Sequence, residues 1–381
     1  MTTPLPDLTD MTRDELTKFL VAAGQPRFRG DQVFRWIWQK LATSFDQMTD
    51  LPAPLRARLP EIARIGAVRA DRVDMSRDGT RKLLVRLGDG KAVEAVLLPE
   101  GTRMTLCISS QVGCALACAF CATGTMGLTR NLTPGEIAGQ VALAVRILRD
   151  EPHAKHPDRE RPVTNVVYMG MGEPLHNYDA VLESLRILTD EHGLAFAARR
   201  ITVSTVGLVP QMKALGEEMA VTLAVSLHAP TDAIRGRIMP INKKYDLAAV
   251  LDACRAFPLK SRARITFEYV MLAGVNDSVA DADKLASAIA DLKCKVNLIP
   301  WNPVAGLGLR GERGPSRSMP LGDGAANEHE GADFKRPTDA AISSFAQRLD
   351  SRGVTCMVRT TRGRDIAAAC GQLALKATVP A

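Results

Sequence analysis

Nowhere in the 381 residues is there an uncharged apolar run of about 18, the length a membrane-spanning helix needs. The opening, Met1-Thr2-Thr3-Pro4-Leu5-Pro6-Asp7, lacks the basic and apolar regions of a secretory signal. A cytoplasmic protein with no membrane association is the expectation. No heptad repeat or interface stripe is evident, so a monomer is expected. Eight cysteines are too few for a disulfide scaffold at this length, and a reducing compartment would keep them as thiols.

What is present is an ample apolar fraction, 46%, enough for one large catalytic domain and a smaller appendage. The formal charge of +7 is compatible with a polyanionic partner, as it is with many mildly basic proteins. The cysteines are unevenly spread. Cys107, Cys114, Cys118 and Cys121 fall within 15 residues, which points to chemistry rather than packing. The spacing Cys114-x3-Cys118-x2-Cys121 lets three thiolates reach three corners of one cubane iron–sulfur cluster from a single loop. An electron-carrying cluster normally has four cysteine ligands, so three leave one iron open to a substrate. The rival reading is a structural zinc site, which usually wants a fourth Cys or His, or simply buried thiols.

Residues 1–70 read as a small helical domain. Thr12 with Glu15 forms a capping box for a helix over Arg13–Ala23, and a second helix places Val33, Phe34, Ile37 and Trp38 on one face. Arg27, Arg29, Arg35 and Lys40 interleave with Phe28 and Trp36, which suits RNA contact or, equally, a solvated face over an aromatic core. Residues 71–100 contain a β-hairpin, Arg81–Leu87 and Lys91–Leu98 about the turn Gly88-Asp89-Gly90. Over residues 101–302, strands at Met104–Ser109, Asn165–Met169, Ile201–Ser204, Thr222–Leu227, Ile265–Met271 and Lys295–Ile299 alternate with helices. Six β/α units predict an α/β fold: an open, partial (β/α)6 barrel with its site at the strands' C-terminal ends. Residues 303–336 are rich in Gly, Pro, Arg and Glu and read as a flexible loop; residues 337–381 add a helix, a strand and a basic tail.

The strand ends carry polar groups. Gly172 and Glu173 close Met169-Gly170-Met171-Gly172-Glu173-Pro174; Ser204, then Ser226-Leu227-His228, then Asn302 follow on later strands. Each taken singly is a plausible turn residue. With the three-cysteine loop, however, they resemble the radical S-adenosylmethionine (SAM) enzymes. That resemblance implies a [4Fe-4S] cluster on Cys114, Cys118 and Cys121. It also implies SAM held by Gly172, Glu173, Ser204, Ser226, Leu227, His228 and Asn302, and cleaved to a 5′-deoxyadenosyl radical.

A closer likeness lies in Cys107-Ile108-Ser109-Ser110-Gln111-Val112-Gly113-Cys114, Trp301-Asn302-Pro303 and Ala369-Cys370-Gly371-Gln372-Leu373. These resemble the bacterial adenine-C2 methyltransferases of 23S ribosomal RNA, and the likeness covers nearly all of the chain outside 303–336. It implies that one SAM methylates Cys370 and a second supplies the radical that activates the S-methyl group, two per turnover. Carbon then adds to C2 of an adenine in 23S rRNA, and in a tRNA anticodon loop. Cys107 would release the product by forming a disulfide with Cys370. Glu94 matches the base that removes the C2 proton. On its residues alone, Glu94 is a charged group in an apolar strand, either buried or facing outward. A flavodoxin or ferredoxin is the implied electron donor. Arg199, Arg200, Lys243, Lys244, Arg359, Arg362 and Arg364 are candidate phosphate contacts, and Cys254, Cys294 and Cys356 are read as core. Two rivals stand: the related adenine-C8 methyltransferases that confer antibiotic resistance, and a non-catalytic zinc-containing RNA-binding protein.

Overall fold

The computed structural model describes residues 4–151, 161–260, 263–304, 307 and 334–374. Three helices come first, α1 (Arg13–Ala22), α2 (Phe28–Trp38) and α3 (Ala53–Ile62). The Thr12–Glu15 capping box is present at the start of α1. The predicted face of α2 is the buried one: Val33, Phe34, Ile37 and Trp38 are each less than 5% exposed. Its outer side carries the cation–aromatic pairs, with Lys40 Nζ 3.6 Å from the Trp36 ring centroid and Arg29 4.7 Å from that of Phe28.

The strands follow as β1 (Arg69–Met75), β2 (Arg81–Arg86), β3 (Ala92–Glu100) and β4 (Arg103–Cys107). These four form an antiparallel meander. The sequence showed the β2–β3 hairpin but not β1, whose residues are largely solvent-facing and carry no apolar alternation. A short ribbon comes next, β5 (Gln111–Cys114) and β6 (Gly127–Asn131), with the brief helix α4 (Ala122–Thr125) between them.

The β/α units then run α5 (Pro134–Arg149), β7 (Asn165–Tyr168), α6 (Tyr178–Thr189), β8 (Ile201–Thr205), α7 (Val209–Glu218), β9 (Thr222–Ser226), α8 (Asp232–Ile238) and α9 (Leu247–Ala256). They finish with β10 (Ile265–Met271), α10 (Val279–Ala288), β11 (Cys294–Pro300), α11 (Asp339–Ser351) and β12 (Cys356–Val358). The main sheet has ten strands in the order β1-β2-β3-β4-β7-β8-β9-β10-β11-β12, parallel from β4 onward. It is an open, partial barrel, as the alternating pattern predicts, extended by the meander on one edge and by β12 on the other. The inner parallel strands bury most of their apolar residues, β10 along its whole length, while Met357 and Val358 of the edge strand β12 are exposed.

Most of 303–336 lies outside the described residues. Its two ends pack: Leu307 and Phe334 are buried, and the Phe334 ring sits edge-on to Trp301 at 5.9 Å. Among the described residues, no helix is long and apolar enough to cross a membrane.

Candidate active site

The three-cysteine loop is pinned at its base. Cys114 ends β5, paired across the ribbon with Gly127, so the chain from 115 to 126 bulges out between two hydrogen-bonded strands. Gly113 (φ +80°) allows that close pairing: a Cβ there would lie 1.9 Å from the Gly127 carbonyl oxygen. Cys114, Cys118 and Cys121 all line one cavity at the C-terminal ends of the barrel strands, with about 980 Å³ of empty space including its mouth. That is ample for a small-molecule cofactor. Among the described residues no three His, Cys, Asp or Glu groups are gathered tightly around a single ion. Burial pushes the Cys114 thiol up to about 12 and raises Cys118 and Cys121 too, so binding a metal cluster must displace protons from all three. Three thiols from one short loop lining one cavity fit a cluster bound through three sulfurs.

Strand-end residues line the same cavity. Gly172, Glu173, Ser204, Ser226, His228 and Asn302 all line the cavity. Gly172 has φ +100°, and a Cβ there would meet Gln111 Cβ at 2.6 Å, so only glycine lets the motif lie against β5. Glu173 is buried, with Oε1 accepting from the Leu175 amide (3.1 Å) and Oε2 from the Val206 amide (2.9 Å). Desolvation nevertheless pushes its carboxyl up to about 7. His228 accepts from the Val270 amide at Nδ1 (2.9 Å), which puts its proton on Nε2, and burial drives its pKa down to about 3. It is a neutral donor. Leu227 differs from the other candidates: it is fully buried, does not line this cavity, and offers its backbone N–H to the Glu268 carbonyl at 3.1 Å. A leucine side chain at that step packs into the core while its neighbours turn toward the cavity.

Cys370 lines the same cavity, carried beside the cluster loop by a C-terminal strap over residues 359–374. The strap is tied to the cluster loop by Ala122 N–H to Gly371 O (2.8 Å) and Thr123 Oγ1 to Leu373 O (2.6 Å). Asn302 Nδ2 donates to Cys370 O at 3.3 Å. Its far end is held by the β1–β2 turn, with Ser76 Oγ on Asp365 (2.6 Å) and Gly363 N–H on Asp78 (2.9 Å). Cys107, at the end of β4, is buried and does not line this cavity; burial and the nearby Cys370 push its thiol up to about 12. The two cysteines, 263 residues apart in sequence, are thus brought together.

Glu94 is buried rather than outward-facing, at 3% exposure. It lies behind the cavity wall, not on it. Lys82 Nζ sits 3.2 Å from Glu94 Oε1 and reaches Ala367 O of the strap at 3.5 Å, while Glu94 Oε2 has no hydrogen-bond partner. Burial raises the Glu94 pKa, opposed by Lys82. Arg359 departs from its expected surface role: its side chain lines the cavity beside Cys370, because β12 pairs with β11 and turns this residue inward. Arg199, Arg200, Lys243, Lys244 and Arg364 are exposed. Cys254 is buried, and Cys294 and Cys356 are half-buried.

Sequence reasoning missed three polar groups here. Glu268 on β10, hydrogen-bonded by Asn297 (2.7 Å), lines the cavity. The same anomaly that singles out Glu94, a charge in an apolar strand, would have found it. Fully buried Arg235 gathers the strand-end loops through Val206 O (2.6 Å), Leu227 O (3.2 Å) and Asn242 Oδ1 (2.8 Å). Lys82 is the third. Neither cation has a sequence signal.

Two family profiles match the chain: "Ribosomal RNA large subunit methyltransferase N-terminal domain" over residues 6–65 and "Radical SAM superfamily" over 108–286. The Dual-specificity RNA methyltransferase RlmN of Geobacter sulfurreducens is 49% identical over 367 residues, 96% of this chain and 91% of the relative. Its namesake from Geotalea uraniireducens is 47% identical, covering 96% of each. The chain belongs to the RlmN family. A crystal structure of a radical SAM methyltransferase from Sphaerobacter thermophilus superposes with a TM-score of 0.84 at 44% identity, over 97% of this chain and 99% of that one. The protein is accordingly a radical SAM RNA methyltransferase of the dual-specificity RlmN family, and the zinc-containing binding protein is set aside. The partial barrel, the helical N-terminal region and the three-cysteine loop are the family's fold realised in these residues.

Proposed function

We propose that this enzyme methylates C2 of an adenine in 23S rRNA and of an adenine in a tRNA anticodon loop, through S-methyl-Cys370. The observation that carries the reading is one cavity whose walls bring together three cluster-type thiols, a strand-end set suited to SAM, and Cys370. A cluster on Cys114, Cys118 and Cys121 with SAM beside it supplies a 5′-deoxyadenosyl radical. Glu173, ionised, takes the SAM ammonium; Ser204, Ser226 and the Nε2–H of His228 serve its ribose, carboxylate and adenine, with Gly172 and Asn302 closing the pocket.

Cys370 attacks a SAM methyl group, with S-adenosylhomocysteine leaving; the S-methyl group would then lose a hydrogen atom to the 5′-deoxyadenosyl radical, its carbon add to adenine C2, and the adduct radical give up one electron to the oxidised cluster. Glu94 removes the C2 proton at Oε2, the oxygen that Lys82 leaves without a partner. Cys107 then attacks Cys370 Sγ, forming the Cys107–Cys370 disulfide, and the departing methylene carbon keeps the electron pair of the broken C–S bond and takes up a proton as the new methyl group of the RNA. The adenine must leave its stack to reach the cavity. Residues 1–70 serve as the RNA-binding accessory domain, with Arg199, Arg200, Lys243, Lys244 and Arg364 as outer phosphate contacts. A flavodoxin- or ferredoxin-type protein supplies the electron to a cytoplasmic, monomeric enzyme.

Cys370→Ala tests the reading. Cluster assembly and SAM cleavage should persist while RNA methylation disappears. Methylated RNA from that variant would refute the S-methylcysteine route.

A further inference from the structure

A second cavity lies on the other side of Cys370, toward the N-terminal ends of the strands, with about 1410 Å³ of empty space including its mouth. Thr105, Thr202, Thr266 and Lys295 line it from the strand starts, and no cluster cysteine does. Cys370, Asn302, Arg359 and Glu268 belong to both cavities, so they form the partition between them. Cys107 lines neither.

On the mechanism proposed above, each turnover leaves a Cys107–Cys370 disulfide that must be reduced. The first cavity is then where cluster, SAM and RNA meet. The second reaches Cys370 from behind.

The charges around this second cavity decide what it would take. Lys295, Arg359 and Arg362 face two carboxylates, Glu100 and Glu268. Glu100 is already paired with Arg103 at 2.7 Å, and Glu268 accepts from Asn297 Nδ2 at 2.7 Å, so three cations face two carboxylates that already have partners. Arg359 makes no side-chain hydrogen bond within the described residues, and its guanidinium borders both cavities. Asn302 is 4% exposed and its Oδ1 has no partner, leaving an unused acceptor in the partition next to Cys370. The surround is net positive, rich in hydroxyls, and open to a small molecule.

We propose that this cavity is the entry site of a low-molecular-weight anionic thiol that regenerates the enzyme. Its thiolate attacks Cys370 Sγ, forming a mixed disulfide, and Cys107 leaves with the electron pair and takes up a proton. A second thiol attacks the mixed disulfide. Two thiols are oxidised to their disulfide, and Cys107 and Cys370 return as free thiols. Attack falls on Cys370 because Cys107 is walled off.

Cluster-loaded full-length protein, turned over once with RNA in the absence of added thiol, provides the test. Differential alkylation and mass spectrometry first establish whether the Cys107–Cys370 disulfide forms. Its absence overturns both the mechanism above and this assignment. With the disulfide present, its reduction by anionic glutathione is compared with that by cationic cysteamine, each rate divided by thiolate concentration. Glutathione should be faster by about tenfold, and added salt should erase the preference. Lys295→Glu should invert it. Equal rates for the two thiols at low salt, or reduction by a protein dithiol but not by glutathione, would overturn the entry site and leave the methyl-cysteine mechanism standing. The salt series on the unmodified protein decides the matter even if the variant folds poorly.

Discussion

Replacing Lys82 by Met removes the ammonium lying 3.2 Å from Glu94 Oε1, in a place where both side chains are less than 10% exposed. The direct attraction lost is about 5 kcal/mol, taking an effective dielectric near 20 and 332/(20 × 3.2). The folded variant has a less costly escape, which is to protonate Glu94. From an ordinary value of 4.5, holding that proton at about pH 7.5 costs three units at about 1.36 kcal/mol each, or about 4 kcal/mol. The smaller quantity sets the ceiling. Because the variant also sheds the desolvation cost of the buried Lys82 ammonium, the expected loss is about 2–4 kcal/mol at pH 7.5. The sign with pH follows from linkage. In the variant, Glu94 has a raised pKa when folded and its ordinary one when unfolded, so the unfolded chain binds fewer protons between the two. Stability then falls as pH rises through that window, and the penalty shrinks to under about 1 kcal/mol near pH 5. Urea unfolding at both pH values measures it, and Glu94→Gln placed on top should restore most of the loss. A protonated Oε2 also cannot take the C2 proton, so Lys82→Met should accumulate the covalent RNA adduct. An equal loss of stability at pH 5 and 7.5, with no rescue by the second substitution, would refute the ion-pair account.

Cys107→Ala should be recovered, or react, as a covalent protein–RNA adduct visible on denaturing gels; a variant that turns over freely removes Cys107 from product release. SAM affinity of the cluster-loaded enzyme should rise with pH up to about 7, by up to tenfold per unit, because the carboxyl of Glu173 is pushed up to about 7 by burial and must ionise to hold an ammonium. Calorimetric titration across pH 5.5–8.5 checks this, and a flat profile contradicts the role of Glu173. Gly172→Ala should weaken SAM binding by at least about tenfold, since its φ of +100° and the 2.6 Å approach to Gln111 leave no room for a methyl group. Wild-type affinity in that variant would show that the strand-end loop can yield.

Much of this site was legible in the residues, for identifiable reasons. Parallel strands buried on both faces are near-continuous apolar runs, so their polar ends stand out, and Glu173, Ser204, Ser226, His228 and Asn302 all fall on the cavity they suggested. The side chain of Leu227 lies in the core, because adjacency in sequence does not give a side chain's direction. Arg359 looked like one more basic residue of the tail, and only the pairing of β12 with β11 turns it inward. Lys82 was invisible for a related reason: its partner Glu94 lies on the next strand, a relation fixed by hairpin register and not by spacing. The meeting of Cys107 and Cys370 depends on a strap pinned at both ends by Asp365, Asp78, Ala122 and Thr123, contacts between segments far apart in the chain.

The central claim, methyl transfer to adenine C2 in this cavity, is tested most directly by an anaerobic reaction of cluster-loaded protein, SAM and reductant with protein-free 23S rRNA, read by nucleoside mass spectrometry. The account predicts 2-methyladenosine. Formation of 8-methyladenosine, or of no methylated adenosine while SAM is cleaved, would contradict it.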